Sequence, residues 1–227
     1  MNKTFALLSV VVTCLGLSAC QLPSSTIPSK DVSAYQAYMP RSILVLPPVN
    51  DSPDVKASYT VWSTVSVPVA NAGYYVFPMA VVDRMFQENG VHLPAEAQSI
   101  DPAKLQQIFG ADAALYIRIK DYGASYQVIQ SVVKVAVEAK LVDLKTGTVL
   151  WQGKKSVTDT GNNNDSGLLG ALIGALVDQI ANNLQDRAYP LATSMSHALF
   201  TPTPTRPGQG LLFGPRSPEY AKQAEMR

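Results

Sequence analysis

Two cysteines, two histidines and a pair of aspartates are the residues in this chain whose chemistry could go beyond packing. Both cysteines, Cys14 and Cys20, fall within the first twenty positions, so neither sits beside a distant histidine or acid in sequence. His92 lies in "NGVHLP", which reads as a loop, and His197 in "TSMSHALF", which reads as part of a helix. Zinc-binding helices space their histidines four apart, and nothing here has that spacing. A solvated or hydrogen-bonded side chain therefore accounts for each histidine. Asp51 and Asp54 follow the first apolar run, a place where open α/β sheets often bind ligands. Helix capping is the simpler role for both carboxylates. No nucleophile elbow or phosphate-binding glycine loop is present, and no Ser-x-x-Lys pair is worth defending as a catalytic pair. The reading is a chain with no catalytic residues, no metal site and no cofactor.

The cysteines acquire a meaning from their surroundings. Lys3 supplies a positive charge, Phe5 to Leu17 is almost wholly apolar, and Ser18 and Ala19 are small. That order describes a secretory signal peptide. The apolar run falls short of the roughly 20 residues that span a bilayer, so a permanent transmembrane helix is not expected. Leu17-Ser18-Ala19-Cys20 resembles the bacterial lipobox, whose signal is cut before the cysteine and whose cysteine is acylated. Residues 1–19 are thus expected to leave, with Cys20 as the lipidated first residue. Cys14 would leave too, and the remainder would hold no free thiol, which removes disulfides, cysteine nucleophiles and thiolate metal sites. Losing Lys3 from 18 basic residues leaves 17 against 17 acidic ones. That balance gives no support for nucleic acid as a partner. In lipoproteins an Asp after the cysteine favours the inner membrane. Gln21 stands there, so the expected anchor is the outer membrane, with the domain facing the periplasm.

Composition then divides the chain. With 47% hydrophobic residues, the sequence can bury a substantial core as one domain. Residues 20–40 are rich in Ser, Pro and Thr without a sustained period and read as the lipidated cysteine and a flexible tether. Residues 41–200 read as the domain, and 201–227 as a Pro/Gly-rich tail. Leu211, Leu212 and Phe213 are expected to pin that tail to the domain's own surface.

Within the domain, "SILVLPPV" (42–49) reads as a short buried strand. A helix is expected over 55–72, kinked or shortened at Pro68 and closed by Gly73. "YYVFP" (74–78) is a second strand and "MAVVDRMFQENG" (79–90) a second helix. "DPAKLQQIFG" (101–110) is a third, with Asp101 as cap, Pro102 at the first helical position and glycine after the end. Leu115, Ile117 and Ile119 alternate with Tyr116, Arg118 and Lys120. Val133, Val135, Val137, Ala139 and Leu141 alternate with Lys134, Glu138 and Lys140. This period of two marks antiparallel strands with one wet face. Gly147 tips a hairpin into a strand over 148–157 that carries Trp151. Leu169, Leu172, Ile173, Leu176, Ile180 and Leu184 then form a helical stripe. Beside it Gly170, Ala171, Gly174 and Ala175 make a small-residue strip. The strip is expected to meet either a neighbouring helix of the same chain or a second copy in a two-fold contact.

The predicted class is α/β: a mixed sheet, with short parallel amino-terminal strands and carboxy-terminal antiparallel hairpins, packed with helices in one domain. The order of elements, with "GADAALYI" and "LVDLKTGTVLW" at its centre, resembles a family of bacterial outer-membrane lipoproteins of unknown function. That family is distantly similar to the periplasmic domain of the curli secretion channel lipoprotein and to the amino-terminal domain of the Tol translocation protein. The resemblance spans roughly residues 40–200. It implies an α/β sandwich in an envelope assembly, export or transport system, with other envelope proteins as partners. A second reading is a module that binds peptidoglycan or a small envelope ligand, and a third is a hydrolase.

Overall fold

A computed structural model of the chain describes residues 31–126, 131–159 and 187–225. The signal segment, Cys20 and the Gly170, Ala171, Gly174, Ala175 strip lie outside them. In chain order the described elements are α1 (Ser33–Tyr38), β1 (Ser42–Val45), β2 (Val49–Asn50), α2 (Ala57–Asn71), β3 (Tyr75–Val76), α3 (Met79–Glu88), α4 (Pro94–Ser99), α5 (Pro102–Phe109), β4 (Ala113–Tyr126), β5 (Ser131–Asp143), β6 (Val149–Asp159), α6 (Ala188–Phe200) and α7 (Tyr220–Glu225).

The strands form one six-stranded sheet in the order β3-β1-β4-β5-β6, with β2 also paired to β4. β1 runs parallel to β3 and β4, and β2 parallel to β4. β4, β5 and β6 are antiparallel neighbours. The expected mixed sheet packed with helices, in a single domain, is what forms.

The two halves of the sheet are covered differently, and the residues show why. Ile43, Leu44 and Val45 of β1 are all buried, so successive residues, which point to opposite faces, both meet protein. In β4, Leu115, Ile117 and Ile119 are buried while Arg118 and Lys120 are exposed. In β5, Val133, Val135, Val137 and Leu141 are buried, whereas Glu138 and Lys140 are exposed. α2 and α6 pack on the apolar side, with Trp151 of β6 against Phe200 of α6 at 5.9 Å between ring centroids. Gly153 sits over that tryptophan: a Cβ there would lie 2.5 Å from Trp151 Cζ2. A second aromatic cluster joins Phe77, Phe86 and Phe109, linking the β3 exit, α3 and α5.

Local signals behave largely as expected. The Asp101 side chain accepts from Ala103 N at 2.9 Å, Pro102 opens α5, and Gly110 ends it in the left-handed region at φ 68°. Three points need correction. Of the two effects expected of Pro68, a kink or a shortening, the shortening does not occur: α2 continues to Asn71. Pro68 has no N–H to donate, yet helical bonding resumes beyond it, with Ala72 N donating to the Pro68 carbonyl at 3.0 Å. α4 was not anticipated, because six residues give no helical period. The tether does not extend to residue 40: Ser33–Tyr38 is helical and Tyr35 is fully buried. Its hydroxyl meets that of Tyr74 at 2.9 Å, and Tyr74 in turn donates to the Leu212 carbonyl at 2.7 Å.

The carboxy-terminal segment belongs to the packed body as well. Leu211 and Leu212 are buried, as the pinning role requires. Trp151 Nε1 donates to the Gly208 carbonyl at 3.0 Å. Backbone bonds Leu211 N to Phe200 O and Gly214 N to Ala72 O fasten the segment to the ends of α6 and α2. The ordered body therefore reaches beyond 41–200 at both ends.

Candidate functional site

The outward residues of β4, β5 and β6 form three cross-strand rows. Tyr116 pairs with Lys140 and Lys140 with Gln152. Arg118 pairs with Glu138 and Glu138 with Lys154. Beyond the bulge between Ile119 and Asp121, Asp121 pairs with Ala136 and Ala136 with Ser156. At one margin stands α4. Its Gln98 side chain donates to the carbonyls of Pro47 and Ile117, both at 2.8 Å, which fixes the helix against the sheet. Ala95, Gln98 and Ser99 form one wall, and the β4–β6 rows form the floor of a groove of about 680 Å³.

Four charged side chains line the groove: Arg118, Glu138, Lys140 and Lys154. Arg118 Nη1 bonds Asp51 Oδ1 at 2.7 Å, and Lys120 Nζ bonds Asp51 Oδ2 at 2.6 Å. The Lys120 hydrogen bond, with the Arg118 and Lys120 charges, holds the Asp51 carboxyl below its ordinary pKa. The Lys140 ammonium lies 4.9 Å from the Tyr116 ring centroid, a cation–π distance. Burial pushes the Tyr116 phenol above its ordinary value, and the nearby Asp101 carboxylate adds to that. Further along, Lys134 pairs with Asp121 at 2.9 Å. Among the described residues, Glu138 and Lys154 face one another across β5 and β6 yet form no ion pair.

The residues singled out from sequence are not brought together. His92 is exposed on the rim of a smaller cleft of about 200 Å³ between α2, α3 and α4, near Tyr59, Asp83 and Trp62. His197 is exposed on α6. Among the described residues no group of three His, Cys, Asp or Glu side chains could hold a metal ion, and no helix is long and apolar enough to cross a membrane. Asp54 takes a local role, accepting from Lys56 N at 2.8 Å just before α2. Asp51 departs from the capping expectation: it clamps Arg118 and Lys120 on the sheet. Its role depends on β2 lying beside β4, a pairing 69 residues apart that local sequence does not report. The alternation in β4 and β5 did identify the outward residues, but Gln98, Gln152 and Lys154 carried no signal of their own.

Comparisons with known proteins agree with this architecture. A family model described as "Putative lipoprotein GNA1162-like" matches residues 30–216. A curated relative from Neisseria meningitidis serogroup B, named "Putative lipoprotein NMB1124/NMB1162", is 45% identical over 202 residues, covering 89% of this chain and 92% of the relative. The crystal structure of lipoprotein GNA1162 from Neisseria meningitidis superposes with a TM-score of 0.54 at 49% identity, covering 63% of this chain and all of that one. The LpoB C-terminal domain from Salmonella enterica aligns at 19% identity and a TM-score of 0.39, over 52% of this chain and 84% of that one. No functional argument follows from so distant a likeness.

Proposed function

This chain belongs to the GNA1162-like lipoprotein family, and from that premise we propose that it is an outer-membrane lipoprotein whose periplasmic domain docks another envelope protein. Cys20 would carry the lipid, with Leu17-Ser18-Ala19 as the processing signal. More than one acyl chain would be needed for a firm hold. From residue 21 to the start of α1 there are about a dozen residues, so the tether reaches at most about 40 Å when extended. The domain works close to the membrane and takes its place in an envelope export or transport assembly.

The observation that carries this reading is the uneven covering of the sheet. β1 is buried on both sides, while among the described residues the β4–β6 floor is left open beside α4. The open face mixes charged side chains with apolar surface, and its concave wall gives a partner something to register against. A second reading, a peptidoglycan or small-ligand module, is favoured by one observation: about 680 Å³ lies in the size range of small-molecule sites.

Photo-crosslinking in intact cells separates the two. A photoreactive residue replaces Gln152, on the groove, or Thr193, on α6. The docking reading expects a discrete protein adduct from position 152 and none from position 193. Adducts only to glycan strands would favour the second reading. Equal adducts from both positions, or none from position 152, would overturn groove docking.

A further inference from the structure

Deepening the docking reading and resting on it, we propose that the groove receives an extended acidic peptide segment with carboxylates at alternating positions. Lys140 and Lys154 each hold one carboxylate, and Glu138 accepts a hydrogen bond from an amide or amine donor beside them.

The charge pattern selects this occupant. Three cations and one carboxylate line the groove. Of the cations, Arg118 is already engaged by Asp51. Lys140 is steadied by the Tyr116 ring but has no carboxylate partner among the described residues. Lys154 has none either. Charged groups in register that leave one another unpaired keep their bonding capacity for a ligand. Lys140 pairs with Gln152, two residues from Lys154, so the two lysines form a diagonal pair. Diagonal neighbours on adjacent strands stand about 7–8 Å apart. Side chains at i and i+2 of an extended peptide lie on one face about 7 Å apart. A Glu-x-Glu segment therefore matches the lysine pair, and a helix, whose same-face neighbours come three or four residues apart, does not.

Glu138 argues against a phosphate-rich occupant. It sits directly opposite Lys154 in the register, where it would repel a second or third closely spaced anion. A peptide offers a backbone N–H between its acidic side chains, which such a carboxylate accepts. The α4 wall argues against a flat lipid surface, because Ala95, Gln98 and Ser99 rise beside the floor.

The test uses the full mature chain, purified with its lipid in non-ionic detergent, and fluorescein-labelled peptides in an anisotropy titration. One peptide alternates Glu with Gly. A second carries the same glutamates in adjacent pairs, and a third has Gln in place of Glu. The alternating peptide should bind best and the Gln peptide worst. Lys140→Gln with Lys154→Gln should weaken the alternating peptide roughly tenfold. Lys104→Gln with Lys145→Gln, the same charge change on exposed residues elsewhere, should leave it unchanged. Should the groove variant misfold, salt supplies the second readout: wild-type affinity must fall as ionic strength rises. Equal binding of the Glu and Gln peptides, indifference to the groove lysines, or lysine-dependent retention on phosphatidylglycerol vesicles or purified sacculi in place of the peptide would overturn the proposal. A protein crosslink from position 152 together with charge-blind peptide binding would remove the acidic segment and leave docking standing. Loss of the crosslink removes docking itself.

Discussion

Removing one oxygen atom, by Tyr74→Phe, tests how the two ends of the chain are held. Tyr74 has a single hydroxyl proton, and it goes to the Leu212 carbonyl at 2.7 Å. Tyr35 must therefore be the donor in the 2.9 Å contact between the two phenols. The substitution removes both hydrogen bonds of the Tyr74 hydroxyl, to Tyr35 and to the Leu212 carbonyl, in a site where Tyr35 is 0% exposed. Losing two buried hydrogen bonds costs about 2–4 kcal/mol. For a body of this size that lowers Tm by roughly 5–15 °C. Tyr38→Phe, at a residue 45% exposed, is the control and should change little. Tyr35→Phe with Tyr74→Phe should cost much less than the sum of the singles, because the two share one hydrogen-bond chain. Thermal unfolding followed by circular dichroism reads all of these. A Tyr74→Phe variant within about 0.5 kcal/mol of wild type would refute the reasoning.

The same pair sets a pH dependence. Burial pushes both phenols above their ordinary pKa of 10.0. Below that value they are protonated in folded and unfolded chains alike, and their contribution is fully present. Above it the unfolded chain ionises first, so stability falls as pH rises toward the folded-state values. Alkaline unfolding should thus begin above pH 10, and Tyr74→Phe should flatten its slope.

Three other outcomes follow from particular residues. Gly153→Ala places a methyl 2.5 Å from Trp151 Cζ2, and the overpacking should cost about 1–3 kcal/mol in urea unfolding. Asp51→Asn should loosen Arg118 and Lys120. The Asp51 contribution in wild type is present above the ordinary carboxylate pKa of 3.8 and lost as pH falls through the depressed folded value, so the variant should show a weaker acid dependence there. Cys20→Ala should release the protein from the outer-membrane fraction, and a variant that still sediments with that membrane would place the anchor elsewhere.

The sequence was most legible where a pattern is local. Alternation in Leu115–Lys120 and Val133–Leu141 reported both strands and their wet face, and Asp101, Pro102 and Gly110 marked α5 residue by residue. It was least legible where one residue's role depends on another far along the chain. Nothing near Tyr35 indicates burial, since its partner is Tyr74 and the chain of hydroxyls ends at Leu212, 138 residues beyond Tyr74. Asp51 looks like a cap because caps are common after a strand; its clamp needs β2 beside β4. The groove lies between these cases. Its floor residues were visible as outward-facing, but the register that sets Glu138 opposite Lys154, and the α4 wall, arise only on folding.

The central claim is that the β4–β6 face is covered in the envelope. Lysine acylation compares this directly between intact cells, treated with a reagent that enters the periplasm, and the purified protein. Lys140 and Lys154 should lose reactivity in cells, while Lys104 and Lys145 react alike in both settings. Equal labelling of all four lysines in cells and in solution would contradict the account.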